Sequence, residues 1–191
     1  MSISSVKTGA VGVSLLAGNT GYDPAATFLI ARANGDGSSG TITFSSIPST
    51  YQHLQLRYHV LTSSNGSGLQ LLVNSDTGAN YARHQLVCDG STVSAFGAAN
   101  VNAWYVEPSG NATNTTQPSV GIIDFHDYAS TSKNKTMRAF VGVDINGTGG
   151  SVALRSAVWL STSAINAITI NANAGVNFST SSTFALYGMV G

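Results

Sequence analysis

The chain has 191 residues, 42% of them hydrophobic and only 8% charged, against a usual charged share of about 25%. Eight Lys and Arg balance eight Asp and Glu, so the formal net charge is zero. This composition excludes a disordered chain, which needs low hydrophobicity and high net charge. It also excludes the basic footprint of a DNA- or RNA-binding domain, and it argues against catalysis, which draws on ionisable side chains.

Residues 1–26 are rich in Gly and Ala and show no sustained alternation. Val6, Val11, Val13, Leu15 and Leu16 are apolar nonetheless, so the segment reads as an extended N-terminal arm that packs on its own domain or on a neighbour, with a first edge strand as the alternative. It carries one lysine, Lys7, and a broken apolar run, unlike the continuous apolar stretch of a signal peptide. Residues 27–191 read as one domain, a size well within the ordinary range.

In that domain the recurring signal is apolar/polar alternation with period two, the mark of strands with one buried face. It is clearest over 53–62, where Leu54, Leu56, Tyr58 and Val60 point one way and His53, Gln55, Arg57 and His59 the other. It is as clear over 136–145, where Met137, Ala139, Val141, Val143 and Ile145 share a face. Further strands are expected over 41–45, 69–74, 83–88, 101–106, 120–125, 151–160, 165–172 and 183–190. β-Branched and aromatic residues fill them, as pleated surfaces favour. Segments rich in Gly, Asn, Ser and Asp separate them and supply turns. Asn146-Gly147, followed by Thr-Gly-Gly, reads as a hairpin connection. No segment of useful length carries a helical stripe. The fold class is therefore all-β: an antiparallel β-sandwich, jelly-roll-like because the connections vary in length.

Several constellations invite a chemical reading. Asp124, His126 and Asp127 combine carboxylates with an imidazole, the groups of a metal site or an acid–base pair. On a strand, however, Asp124 and His126 share a face and Asp127 points away, which reads as a strand end with solvated polar groups. The loop from Asn74 to Asn80 has oxygen donors around a glycine, like the start of a calcium loop, but lacks the distal bidentate glutamate. His53, Arg57 and His59 form a wet outer face or part of a subunit contact. The single cysteine, Cys88, excludes an internal disulfide and reads as a small apolar core residue. Trp104 and Tyr105 are neighbours on a strand and must face opposite ways, so one is core and the other belongs to the surface or an interface. These two and Trp159 are the candidate interface or glycan-stacking aromatics. No catalytic residue, metal or cofactor is expected. With Glu107 the only glutamate, the carboxylate pair of a glycosidase is hard to assemble. No stretch approaches the roughly 20 apolar residues of a membrane span, so no membrane insertion is expected.

The runs FSSIPSTYQHLQLRY (44–58), LVNSDTGANYA (72–82) and DFHDYASTSKNKTMRAF (124–140), with the closing STFALYGMVG (182–191), resemble small virion proteins of tailed bacteriophages. The resemblance implies a structural β-sandwich protein in one of two settings. One is the outer capsid surface, as a homotrimeric decoration or cement protein bound to the major capsid protein. The other is the tip of a tail fibre or tailspike, facing a host-surface glycan. It implies no catalytic residues. In the capsid setting the arm with Val6, Val11, Val13, Leu15 and Leu16 is the expected shell contact.

Overall fold

The computed structural model describes residues 27–64, 68–106, 116–145 and 149–190. The arm expected over 1–26, with Val6, Val11, Val13, Leu15 and Leu16, lies outside them. The described residues form twelve strands and no α-helix: β1 Thr27–Asn34, β2 Thr41–Phe44, β3 His53–Val60, β4 Leu69–Val73, β5 Tyr81–Cys88, β6 Val93–Val101, β7 Trp104–Tyr105, β8 Ser119–His126, β9 Lys135–Ile145, β10 Gly149–Trp159, β11 Ile168–Ala172 and β12 Thr183–Met189. The all-β expectation is met.

The strands form two antiparallel sheets. The large sheet has eight strands in the order β1-β12-β3-β8-β9-β10-β5-β6, and the small sheet has four in the order β2-β11-β4-β7. β9 and β10 pair antiparallel with Gly149 opposite Ile145; the expected Asn146-Gly147 turn between them lies outside the described residues. Two strands were not foreseen. β1 (TFLIARAN) begins where the arm ends. β6 (VSAFGAANV) is built mostly of small residues whose alternation carries little contrast. The run expected over 101–106 divides: Val101 closes β6, and only Trp104 and Tyr105 pair with β4. Asn100 turns the chain there with φ of 55°.

Alternation translates directly into burial. Along β3, Leu54, Leu56, Tyr58 and Val60 are buried, as are Ile123 and Phe125 on β8 and Met137, Ala139 and Val141 on β9. The small sheet contributes Leu69, Leu71, Val73, Trp104, Ile168 and Ile170 from the facing side. Aromatic rings lock the two layers together. Trp104 of β7 lies 5.7 Å from Tyr81 of β5, edge to face, and 5.8 Å from Phe125 of β8. Such pairs add about 0.5–1.5 kcal/mol to the burial of their area.

Polar groups inside this core are tied to the backbone. Lys135 is 1% exposed, and its Nζ donates to the carbonyls of Lys133 (2.7 Å) and Thr162 (3.1 Å). Burial pushes its pKa below the ordinary lysine value, with the like charge of Lys133 adding to the effect. Close packing also fixes one glycine. A Cβ at Gly121 would stand 2.4 Å from the Tyr58 ring, so only a bare backbone lets that ring lie across β8. Replacing Gly121 with Ala should destabilise the fold by about 1–3 kcal/mol through overpacking, read as a lower urea midpoint at unchanged slope.

Candidate docking face

The outward faces of the two sheets differ in chemistry, and the register shows how. Across the large sheet one rung runs Arg32, Ala185, Arg57, Ile122, Phe140, Leu154, Leu86 and Ala95, one residue per strand. Four consecutive members, Ile122, Phe140, Leu154 and Leu86, are exposed aliphatic and aromatic side chains, and Phe140 is 56% exposed. The next rung places Val120, Gly142, Val152, Cys88 and Val93 side by side, with Val120, Val152 and Val93 exposed. Two rows of apolar side chains thus adjoin on β8, β9, β10 and β5. Monomeric soluble proteins rarely leave such contiguous patches uncovered. The sequence hid this feature, because each residue sits alone on the polar phase of its own strand. Only pairing gathers them.

Ionisable groups collect along the opposite border of the same face. Asp124 accepts from Gln55 Nε2 at 2.8 Å and from Arg138 at 3.2 Å, and Arg57 Nε donates to Gln55 at 2.7 Å. The His53 and His126 rings stand edge to face, 5.3 Å apart. The Asp127 backbone N–H donates to His53 Nδ1 at 3.0 Å. Asp127 pairs with Lys133, and the hydrogen bond from that ammonium, with its charge, holds the carboxyl below the usual range. Asp124 and His126 do share a face; Asp127 stands in a turn, with φ of 47°, and its carboxylate does not point away, lying 3.7 Å from His53 Nδ1. The three do not converge. Among the described residues no three His, Cys, Asp or Glu side chains are gathered as a metal site would need.

The loop from Asn74 to Asn80 has its own structural task. Asp76 accepts from the Trp159 indole N–H at 2.7 Å, from the Gly78 amide at 2.8 Å and from Asn80 Nδ2 at 2.9 Å. The Tyr81 hydroxyl donates to the Asp76 carbonyl at 2.8 Å, and burial pushes that phenol up to about 12. Asp76 therefore anchors a turn to the core.

The three candidate aromatics separate. Trp104 is 0% exposed and Trp159 is buried beneath Asp76, so both are core residues and neither offers a ring to a ligand. Tyr105 is half-buried, with the Arg83 guanidinium 4.0 Å above its ring. The opposite-facing pair thus resolves with Trp104 inside and Tyr105 outside. Cys88 corrects its expectation. It is half-buried at the end of β5, and its pairing with Val152 and Val93 places it on the outer face of the large sheet, not in the core.

The outward face of the small sheet is polar. One rung runs Thr41, Asn171, Gln70 and Tyr105, and Thr41 Oγ1 donates to Asn171 Oδ1 at 2.8 Å. The next carries Thr43 and Thr169, whose hydroxyls are 3.1 Å apart. Compared with family models, curated proteins and solved structures, the chain matches none.

Two measurements test the Asp76 anchor. Replacing Asp76 with Ala leaves the buried Trp159 N–H without its acceptor and should cost about 1–3 kcal/mol. Hydrogen bonds, first that from Trp159 and then those from Asn80 and Gly78, hold the Asp76 pKa below its ordinary value of 3.8 against the opposing effect of burial. Its contribution is therefore fully present above that value and is lost as pH falls through the lower folded one. Asp76→Ala should accordingly flatten the acid limb of stability against pH. As a second check, Trp159→Phe should cost about 1 kcal/mol more than Trp104→Phe, because the Trp104 N–H has no hydrogen-bond partner among the described residues. Thermal melts of the pair read the difference.

Proposed function

We propose that the protein is a structural virion protein, a decoration protein of a tailed-phage capsid that seats the outer face of its large sheet on the shell. The observation that carries this reading is the contiguous exposed rung of Ile122, Phe140, Leu154 and Leu86, backed by Val120, Val152 and Val93. Covering such a surface contributes about 25 cal/mol per Å² before association costs. Net neutrality removes long-range repulsion from a partner of either sign. The opposite face, built of hydroxyls and amides, suits the solvent side of an attached module.

The strand order supports the same setting. Without the β5–β6 and β9–β10 hairpins, the order is β1-β12-β3-β8 on one sheet and β2-β11-β4-β7 on the other. We read this order as a jelly roll with two hairpin insertions that widen one sheet. Viral capsid and lectin domains use that architecture, which favours a virion role by analogy of fold. The second branch of the analogy supports a second reading, a glycan-binding tail module. Its specific observation is the Thr41–Asn171–Gln70–Tyr105 rung, where side-chain amides and a hydroxyl adjoin an aromatic ring.

Co-sedimentation with undecorated shells is the direct test. Ile122→Asp combined with Leu154→Asp should reduce attachment at least about tenfold, the effect of losing 1.4 kcal/mol, while leaving the melting temperature nearly unchanged. Attachment of the unaltered protein should survive a rise from about 0.05 to about 0.5 M salt, because screening acts mainly on exposed charges. Unchanged attachment of the double variant would remove this reading. Saturable sugar binding lost in Tyr105→Ala would favour the tail module.

A further inference from the structure

Sheet edges are open templates for pairing, and proteins blunt them with short strands, bulges, charges or proline. Three of the four edges here are blunted. β1 carries a register break between Leu29 and Ala31, together with Arg32. β2 has four residues and β7 has two. β6 is different. It runs for nine residues, VSAFGAANV, with no charge and no proline. Its own register break with β5 comes only after Ala98, between the Arg83–Ala98 and Tyr81–Val101 pairs, so Val93 to Ala98 is an unbroken edge, and among the described residues β5 is its only strand partner. The β5–β6 hairpin also lies beyond the small sheet, and among the described residues no strand is layered over either of its faces. Phe96 is 57% exposed on the core-side face, and Leu86 and Val93 are exposed on the other.

We infer that β6 is a self-association edge, and that its occupant is β6 of a second copy of this chain, paired antiparallel about a twofold axis. The chain has zero net charge, so two copies meet without net repulsion, and an isologous contact needs one self-complementary patch. The pleat restricts the register. A twofold axis normal to the sheet keeps core-side residues opposite core-side residues, which requires the numbers of opposed residues to sum to an even value. Centring the bulge-free stretch on Phe96 sets Phe96 against Phe96 of the second copy, Ala95 against Gly97 and Ser94 against Ala98. The one bulky side chain meets its own copy, and every other opposed residue is small and uncharged. The two large sheets then become one continuous sheet of sixteen strands, twice the eight of each copy.

This contact is independent of attachment to a shell, and purified protein tests it. Analytical ultracentrifugation of the full chain should give twice the monomer mass, and Ala95→Lys, which places a charge at the join, should give a folded monomer. Register is read in a Cys88→Ser background. Opposed residues of an antiparallel pair lie about 4.5–5.5 Å apart, within disulfide reach. Phe96→Cys should therefore yield a covalent dimer under mild oxidation. Ser94→Cys should not, because its copy would lie about 13 Å away along the strand. A monomer or a trimer in the unaltered protein, or cross-linking at position 94 as readily as at 96, would overturn the inference. If Ala95→Lys does not fold, the disulfide pair and the unaltered protein's mass decide.

Discussion

Two sheets of unequal width share one core, and the rest of the molecule follows from that mismatch. Where four strands back eight, the inward residues are dry: Leu56, Ile123, Phe125 and Trp104 are all fully buried. Beyond β7 the large sheet continues with no strand layered opposite it among the described residues. Inward-facing Arg83, Gln85 and Val87 on β5 are half-buried, and Phe96 on β6 is exposed. Arg83 stacks on Tyr105 at this margin, where cation and ring together close the side of the core. The hydrophobic layer therefore ends gradually at the β5–β6 hairpin, where Leu86, Val93 and Phe96 are exposed.

Charge is scarce, and most of it is spent on fastening the chain. Asp36 caps a turn by accepting from the Ser38 and Ser39 amides, both at 2.8 Å. Asp89 does the same for Ser91 and Thr92, and in both cases these amide bonds hold the carboxyl below its ordinary value. Asp76 joins a loop to Trp159, and Asp124 bridges Gln55 and Arg138. In Asp36, Asp76 and Asp89 these donors favour the ionised form, which makes each a poor general base near neutrality. These acids thus serve as local fasteners of the fold.

The surface divides into a face that water tolerates and one that it does not. Hydroxyls and amides on the small sheet satisfy one another across strands, as Thr41 with Asn171 and Thr43 with Thr169. The large sheet instead gathers exposed Ile122, Phe140 and Leu154 at its centre. A β-sandwich asks only that one face of each strand be apolar. Apolar residues on the second face do not serve the fold, which is why they point to contacts outside it.

Sequence by itself determined the class of fold and the inward face of nearly every strand. Burial of alternate side chains is a local consequence of the pleat, so Leu54 to Val60 and Met137 to Val143 could be assigned without knowing their neighbours. It also determined that Trp104 and Tyr105 face opposite ways, though not which one is inside. Tertiary structure alone decided that, because the answer depends on Tyr81 and Phe125, which approach from other strands. It also decided the fate of Cys88, the role of Asp76 and the existence of β6, whose small residues give alternation no contrast. Above all it decided the apolar outer rung. Its members come from residues 86, 122, 140 and 154, and only the hydrogen-bonded register of four strands sets them side by side. Strand pairing is non-local, joining partners as distant in sequence as Thr41 and Asn171, 130 positions apart. A period-two pattern shows which way a side chain points, but it does not contain what stands beside it.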